Sequence, residues 1–364
     1  VCLKLCCERE TASQTIMNES AKKATAVTFT LLVLLGVGMA IMFAVNNIVQ
    51  GNLRVRDDKE GTATLRRLFV EEIVHAGQFL PPSDAKERHT QRDLSRLPVT
   101  YWHPQGPVGQ VLAKFDWFGG IENTWRADAR LPASLIAQGM PHGPLPMGQL
   151  AAAWSEPPLG AIPLKAGALA GYARPFQVVD FYEPNPAIYE LSFPKAGAPR
   201  FTLVRDAQER GAGIRVFQGK ERDLLAKQAP RRFYRALFVD AVRGDLKELA
   251  EDLLTQEGMA ALMAAVAENG VLAIHVSNKN YNLVPIVADV AHALKYHSVL
   301  AEDRGERGKG HYNSEWVLVA RQQAYLLNRG RASHIQWRTV APRGQHVWTD
   351  AGPHDRTGLE RRAN

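Results

Sequence analysis

PLGAIPLKAGALAGYARPFQVVDFYEPNP, residues 158–186, decides how the chain is read. A short apolar strand leads into a Gly/Ala-rich turn that starts a helix, and a second apolar strand then ends on Glu183. An open α/β sheet prepares a nucleoside crevice in this way, with an acid about 20 residues beyond the turn placed to accept both ribose hydroxyls. The pattern makes Gly167 the turn residue and Glu183 the ribose acceptor. A surface acid before a proline turn is the plainer alternative for Glu183. Two residues are foreign to such a turn. Pro163 fixes φ and lacks an N–H, and Lys165 brings a long cationic chain to the crevice.

Downstream, short apolar strands recur at 160–164, 177–182, 213–217, 235–240, 270–276, 297–301 and 315–320, with helical patterns at 246–268 and 283–295. Strand, helix, strand at this spacing predicts an α/β, Rossmann-like, doubly wound and mostly parallel sheet. The connection Ala301–Tyr312 is too short for a crossover helix, so the last strand is expected to be antiparallel, as in a methyltransferase-type sheet. Upstream, alternation in 52–56, a turn at 57–61 and an apolar run Leu65–Val74 predict a β-hairpin and a further strand.

The composition, 364 residues with 46% apolar and 22% charged, excludes disorder for most of the chain. A net charge of +7 fits nucleic acid or an anionic membrane surface, but no RNP-like strand, zinc-finger spacing or helix-turn-helix signature turns it into a nucleic-acid site. No metal cluster is expected. Cys2, Cys6 and Cys7 all precede the first structured element, so no disulfide framework holds the main domain, and a reducing compartment follows. From Ala24 to Gly51 there is no charged residue, and the apolar run supplies the roughly 20 residues that a membrane-crossing helix needs. A cleaved signal peptide and a buried core helix are the alternatives. Arg54, Arg56, Lys59, Arg66 and Arg67 follow the span, which favours a cytoplasmic main domain on a bacterial-type inner membrane. The expected organisation is a polar segment 1–23, a transmembrane helix 24–46, a small β-rich domain 51–115, a connector or lid 116–157, the α/β domain 158–328 and a basic tail 329–364 that packs back or frays.

Several stretches carry a resemblance. FYEPNPAI (181–188), ALFVDAVRGD (236–245), LLTQEGMAAL (253–262) and GVLAIHVSNKNYNLVPIV (270–287) resemble the spermidine synthase family, particularly its membrane-associated relatives. GNLRV (51–55), LFVEEIVHAGQF (68–79), VTYWHPQGPVGQVL (99–112) and HVWTD (346–350) are similar to its flanking pieces, in the same order. The resemblance implies decarboxylated S-adenosylmethionine as co-substrate and aminopropyl transfer to a polyamine, whose attacking nitrogen must be neutral and aligned with the leaving group. It places Asp240 and Asp245 in the acidic catalytic loop, Gly167, Glu183, Gly219, Gln78 and Ser277 around the nucleoside, and His75, Tyr101 and Tyr281 near the polyamine. Several have a structural alternative: a helix cap or loop carboxylate for Asp240, an N-cap for Asp245, a cap of the following helix for Ser277, and a satisfied polar pair for His75 and Gln78. His103 and Asn278 are expected at the same sheet edge.

The departures from the family pattern are one proline, Pro163, and three cations. Its Gly-x-Gly-x-Gly turn stands here as Pro163-Leu164-Lys165-Ala166-Gly167, its Gly-Asp pair as Gly219-Lys220, and its acidic loop carries Arg243. A lysine cannot accept the hydrogen bond that an acid takes from adenine, and positive charge repels a sulfonium and a polycation. Two readings stay open. One is a divergent aminopropyltransferase; the other is a catalytically degenerate domain, with no cofactor, acting as a scaffold or accessory subunit of a membrane assembly. Lys165 holding a phosphate beside a helix N-terminus is a third. Lipid through the single span, and a homodimer or membrane-complex partner, complete the expectations.

Overall fold

The computed structural model describes residues 53–82, 94–114, 157–243, 248–306, 308–327 and 335–360, all within one compact unit, Leu53–Asn364. The expected transmembrane helix 24–46 and the segment 1–23 lie outside the described residues, as does the connector except Pro157. Among the described residues no helix is long and apolar enough to cross a membrane.

The chain begins with a three-stranded antiparallel sheet, β1 (Leu53–Glu60), β2 (Ala63–Val70) and β3 (Ile73–Phe79). Gly61, at φ 62°, turns the first hairpin. The expected single strand Leu65–Val74 is in fact two strands. Glu71 adopts φ 55°, and Val70 pairs back onto Ile73 across a two-residue turn. Neither Glu71 nor Glu72 belongs to the residue types that usually mark such a turn, so the apolar run conceals it. A short helix, α1 (Pro107–Lys114), follows.

The main sheet has the order β13-β11-β12-β10-β7-β4-β5-β6. Its strands are β4 (Leu159–Ile162), β5 (Val178–Glu183), β6 (Gly213–Gln218), β7 (Tyr234–Asp240), β10 (Val266–His275), β11 (His297–Asp303), β12 (Ser314–Ala320) and β13 (Trp337–Thr339); β8 (Val242–Arg243) and β9 (Glu248–Leu249) form a separate ribbon. Strands β6, β5, β4, β7 and β10 are mutually parallel, and β12 runs antiparallel between β10 and β11. This is the mixed, Rossmann-like sheet with a reversed strand that the short 301–312 connection predicts.

Both faces of the sheet are covered, which is why its strands read as continuous apolar runs. Along β7, Ala236 and Phe238 pack into one cluster with Trp102, Phe181 and Trp316, while Leu237 and Val239 pack into another with Tyr182, Leu272 and Ile274. The remaining helices are α2 (Pro186–Ser192), α3 (Leu203–Glu209), α4 (Glu221–Gln228), α5 (Glu251–Leu254), α6 (Gln256–Ala265), α7 (Val284–Ala293) and α8 (Ala324–Leu327). The helical pattern expected over 246–268 is thus broken. Thr255 caps α6 by accepting from the Gly258 N–H at 3.0 Å, and the chain enters β10 directly at Val266. The tail packs back on the domain: Trp348 and Leu359 are buried, and Asp289 of α7 accepts from the backbone N–H groups of Gln345 (3.0 Å) and His346 (2.9 Å).

Candidate functional site

The sheet reverses its winding at β4. From this strand the chain passes to β5 and β6 on one side, and β7 and β10 lie on the other. Ligands of open α/β sheets occupy the crevice outside the carboxyl ends of the strands at such a point. Here those ends carry the 163–167 turn, after β4, and Asp240, the last residue of β7.

The turn is built on backbone geometry. The Ile162–Pro163 peptide is cis, Lys165 has φ 50° and Gly167 has φ 72°. The Gly167 N–H donates to the Leu164 carbonyl at 2.8 Å, and a Cβ on Gly167 would stand 2.5 Å from Cγ2 of Val204 in α3. Glycine is needed here for both backbone conformation and close approach. The helix that follows is a single 3₁₀ segment, Ala168–Tyr172.

This conformation turns the Lys165 side chain inward. Its ammonium forms an ion pair with Asp240, with side chains 6% and 1% exposed, and lies 3.0 Å from both the Tyr101 hydroxyl and Nδ1 of His75. Asp240 also accepts from the Tyr101 hydroxyl (2.8 Å) and the Val242 N–H (3.0 Å), and its Oδ1 lies 3.1 Å from Nδ1 of His275. The Tyr101 ring stacks on His275 with centroids 4.1 Å apart, and its hydroxyl also reaches the His75 carbonyl. Burial pushes the Asp240 carboxyl up, but the Lys165 ammonium and then His275 outweigh it and hold the group well below the usual carboxylate range. Burial, reinforced by the charge on Asp240, raises the Tyr101 phenol well above its ordinary value. The carboxylate is ionised and fully engaged by the protein's own donors.

Glu183 is buried at the end of β5 and accepts from the Lys165 N–H (3.2 Å) and the Asn185 N–H (2.8 Å). Burial raises its carboxyl to about 7 against these two donors. Gly219 follows β6 at φ 138° and donates its N–H to the Glu183 carbonyl at 3.1 Å. Lys220 is exposed at the N-cap of α4. The expectation that Lys165 presents its charge to a ligand is therefore corrected, since it is internal and neutralised by Asp240, whereas Lys220 is exposed. The phosphate reading of Lys165 is corrected in the same way, because its ammonium already holds Asp240. The Arg243 side chain and all of Asp245 lie outside what is described.

The remaining residues fall into separate local roles. Gln78 donates to the Ser95 carbonyl (2.8 Å) and the Thr202 hydroxyl (2.7 Å) and accepts from the Thr202 N–H (2.8 Å), tying β3 to the start of α3. The Ser277 hydroxyl accepts from the Glu315 N–H at 2.7 Å, joining the end of β10 to β12. Tyr281 bridges to Glu360 of the tail, with the Arg356 guanidinium 5.0 Å above its ring. Asn278 accepts from the N–H groups of Asn280 and Tyr281, closing the turn after β10. His103 stacks on His311 at 4.5 Å, and burial, then His311, lowers it to about 3. Of the expected site residues, the structure gathers His75, Tyr101 and Asp240 around one point, with Glu183 joined to the same turn through the Lys165 backbone. His275 belongs to that point and was not singled out. Its signal was positional, since it is paired with Asp240 across parallel strands.

No protein-family model matches the chain, and no curated protein does so. Solved structures similar to it include a probable spermidine synthase from Corynebacterium glutamicum ATCC 13032, at 13% identity and TM-score 0.40, covering 79% of this chain and 87% of that one. Human methyltransferase-like protein 13 in complex with SAH is similar at 15% identity and TM-score 0.33, over 56% of this chain and 85% of that one. A precorrin-6y C5,15-methyltransferase from Geobacter metallireducens GS-15 is similar at 13% identity and TM-score 0.29, over 45% and 78%. The fold of this chain itself rests on its strand order and its reversed β12: it is a methyltransferase-type α/β sheet preceded by a small antiparallel sheet.

Proposed function

We propose that this chain is a spermidine-synthase-like domain, tethered to the membrane through residues 24–46, that acts as a scaffold or accessory subunit of a membrane assembly and not as an aminopropyltransferase. The observation that carries this reading is the buried ion pair between Lys165 and Asp240. An acid that activates an amine substrate must meet that amine, and here the chain's own ammonium has taken the place. A dissociable substrate cation would have to displace a tethered one that also contacts Tyr101 and His75. The nucleoside side is similarly engaged, since both Glu183 oxygens accept from backbone N–H groups.

A second reading, aminopropyl transfer from decarboxylated S-adenosylmethionine to a polyamine, draws support from Glu183 alone. It keeps an acid at the end of β5, where a ribose would be held. That reading requires Lys165 to leave Asp240. Titration calorimetry with decarboxylated S-adenosylmethionine, paired with an assay for methylthioadenosine release in the presence of putrescine or spermidine, decides between them. The native chain is expected to give neither saturable heat nor product. Saturable binding with turnover would establish the transferase instead, and binding gained only by K165A would identify Lys165 as the group that closes the crevice.

A further inference from the structure

The C-terminal tail runs as a strap between two buried anchors, Trp348 and Leu359. At one end the Trp348 carbonyl accepts from the Gln256 N–H at 2.8 Å, and at the other the Leu359 carbonyl accepts from the Asn282 N–H at 2.7 Å. The strap therefore joins the start of α6 to the turn after β10, where the Tyr281 ring lies under the Arg356 guanidinium. Between the anchors its residues alternate between exposed and half-buried, and His354 and Arg356 are among those turned inward. Both reach Glu251 of α5. Nδ1 of His354 lies 2.8 Å from Oε2, and the Arg356 guanidinium pairs with Oε1.

The second ring nitrogen of His354 decides the chemistry. Nε2 lies 3.2 Å from the Thr349 carbonyl, so both nitrogens face oxygen atoms that only accept. A neutral imidazole has one N–H and would set a lone pair against one of these oxygens, whereas an imidazolium donates to both. The ring also stacks on the indole of Trp348, with centroids 4.9 Å apart, a face that favours a cation. The charged groups around it are Glu251 with Arg356, Asp350 with its partner Arg222 of α4, Glu257 of α6, which accepts from the Asp350 N–H at 3.0 Å, and Asp355. Carboxylates outnumber cations among them. Burial pushes the Glu251 carboxyl up, but Arg356 and then His354 outweigh it and hold the group below its ordinary 4.5, so it stays ionised at neutral pH.

We propose that His354 is an imidazolium in the closed strap and that loss of its proton loosens the strap, which makes the tail a pH-operated cover over Tyr281 and the seat of Leu359. The closed state binds one proton more than the open one, so acid favours closure and rising pH favours opening. An imidazole released from the clasp exchanges its second proton near about 6.5, within the physiological range. Arg356 stays on Glu251 throughout, so the release is the loss of one bond and not of the whole clasp. The device shares no residue with the Lys165 cluster and does not depend on whether that crevice is closed.

The test is hydrogen exchange of the full chain in detergent micelles, read by mass spectrometry, with each rate divided by that of an unstructured peptide at the same pH. Protection of residues 349–358 and of the Asn282 amide should fall about tenfold between about pH 5.5 and 8.5, the loss of one charge-assisted hydrogen bond. H354Q keeps a donor but has no proton to exchange, so its strap should show low protection at both ends of that range. E251Q should abolish the step as well, because a neutral amide does not hold the imidazolium. Both side chains are partly exposed, and β7 provides the control: its protection should follow one course in the native chain and in both variants, which shows that each is folded. Native protection of the strap that does not fall with pH, a step that persists in H354Q or E251Q, or an equal loss of protection in β7 of H354Q overturns the proposal.

Discussion

Lys165 and Asp240 stand 75 residues apart, at the carboxyl ends of the neighbouring parallel strands β4 and β7, and form an ion pair from which solvent is almost excluded. Removing one member of such a pair leaves an uncompensated buried charge, which costs about 3–5 kcal/mol. K165M should therefore lower unfolding free energy by that order in urea titrations. D240N on the same background should recover much of the loss, because the neutral amide no longer needs a cation. A double-mutant cycle in which the two substitutions simply add would show that the pair is not coupled as described.

Glu183 supplies a pH dependence of definite sign. Its folded carboxyl holds a proton up to about 7, against an ordinary value of 4.5. Between these values the folded state carries more protons than the unfolded one, so stability falls as pH rises from about 4.5 to 7 and then levels. The full loss is on the order of 3 kcal/mol. E183Q has no proton to exchange, so its urea midpoint should lack this decline; a wild-type midpoint no more pH-sensitive than that of E183Q would contradict the assignment.

The close approach of Gly167 to Val204 predicts an asymmetric rescue. G167A should be destabilised by about 2 kcal/mol or more, combining left-handed backbone strain with a methyl driven into Cγ2 of Val204. Adding V204A relieves only the steric part, so thermal melts should place G167A/V204A above G167A after correction for V204A alone. Complete rescue would mean that φ at 167 carries no strain.

Asp289 gathers the returning tail through backbone N–H groups. Those donors hold its carboxyl below the ordinary 3.8 against the opposing effect of burial, so its contribution is present above that value and disappears as acid protonates it. D289A removes the acceptor of these N–H groups, of which only that of His346 belongs to a buried residue, and should cost about 1–2 kcal/mol. Hydrogen exchange at residues 343–346 should accelerate well before exchange in β7. Uniform acceleration across the domain would indicate that the tail does not open separately.

The main sheet was legible because strands buried on both faces leave unbroken apolar runs, such as LGAI in β4 and ALFVD in β7, and because twelve residues from Ala301 to Tyr312 leave no room for a crossover helix. The Glu71–Glu72 turn was not legible, since a positive φ at a glutamate has no compositional signal. Thr255 divided an apolar helical pattern for a similarly local reason: one hydroxyl on the Gly258 N–H outweighs a continuous period. At the site, sequence placed Lys165, Asp240 and Tyr101 near the same crevice but could not reveal that they satisfy one another. Whether a buried lysine meets a ligand or a carboxylate depends on side-chain direction, here set by φ 50° at Lys165 and by strand register. Gln78 illustrates the same limit, because its three partners come from residues 95 and 202.

The reversal of β12 has a consequence beyond the ordering of strands. Because β11 runs with the parallel set and β12 returns against it, the bend between them emerges at the same rim as Lys165 and Asp240. From that rim Tyr312 and the Gly308 N–H grip Arg67 and Glu60 of the N-terminal sheet. Topology has thereby made a latch: the bend clasps the β1–β2 end of the N-terminal sheet, while Gln78 fastens β3 to the start of α3, so the small sheet is held to the large one at two separate places.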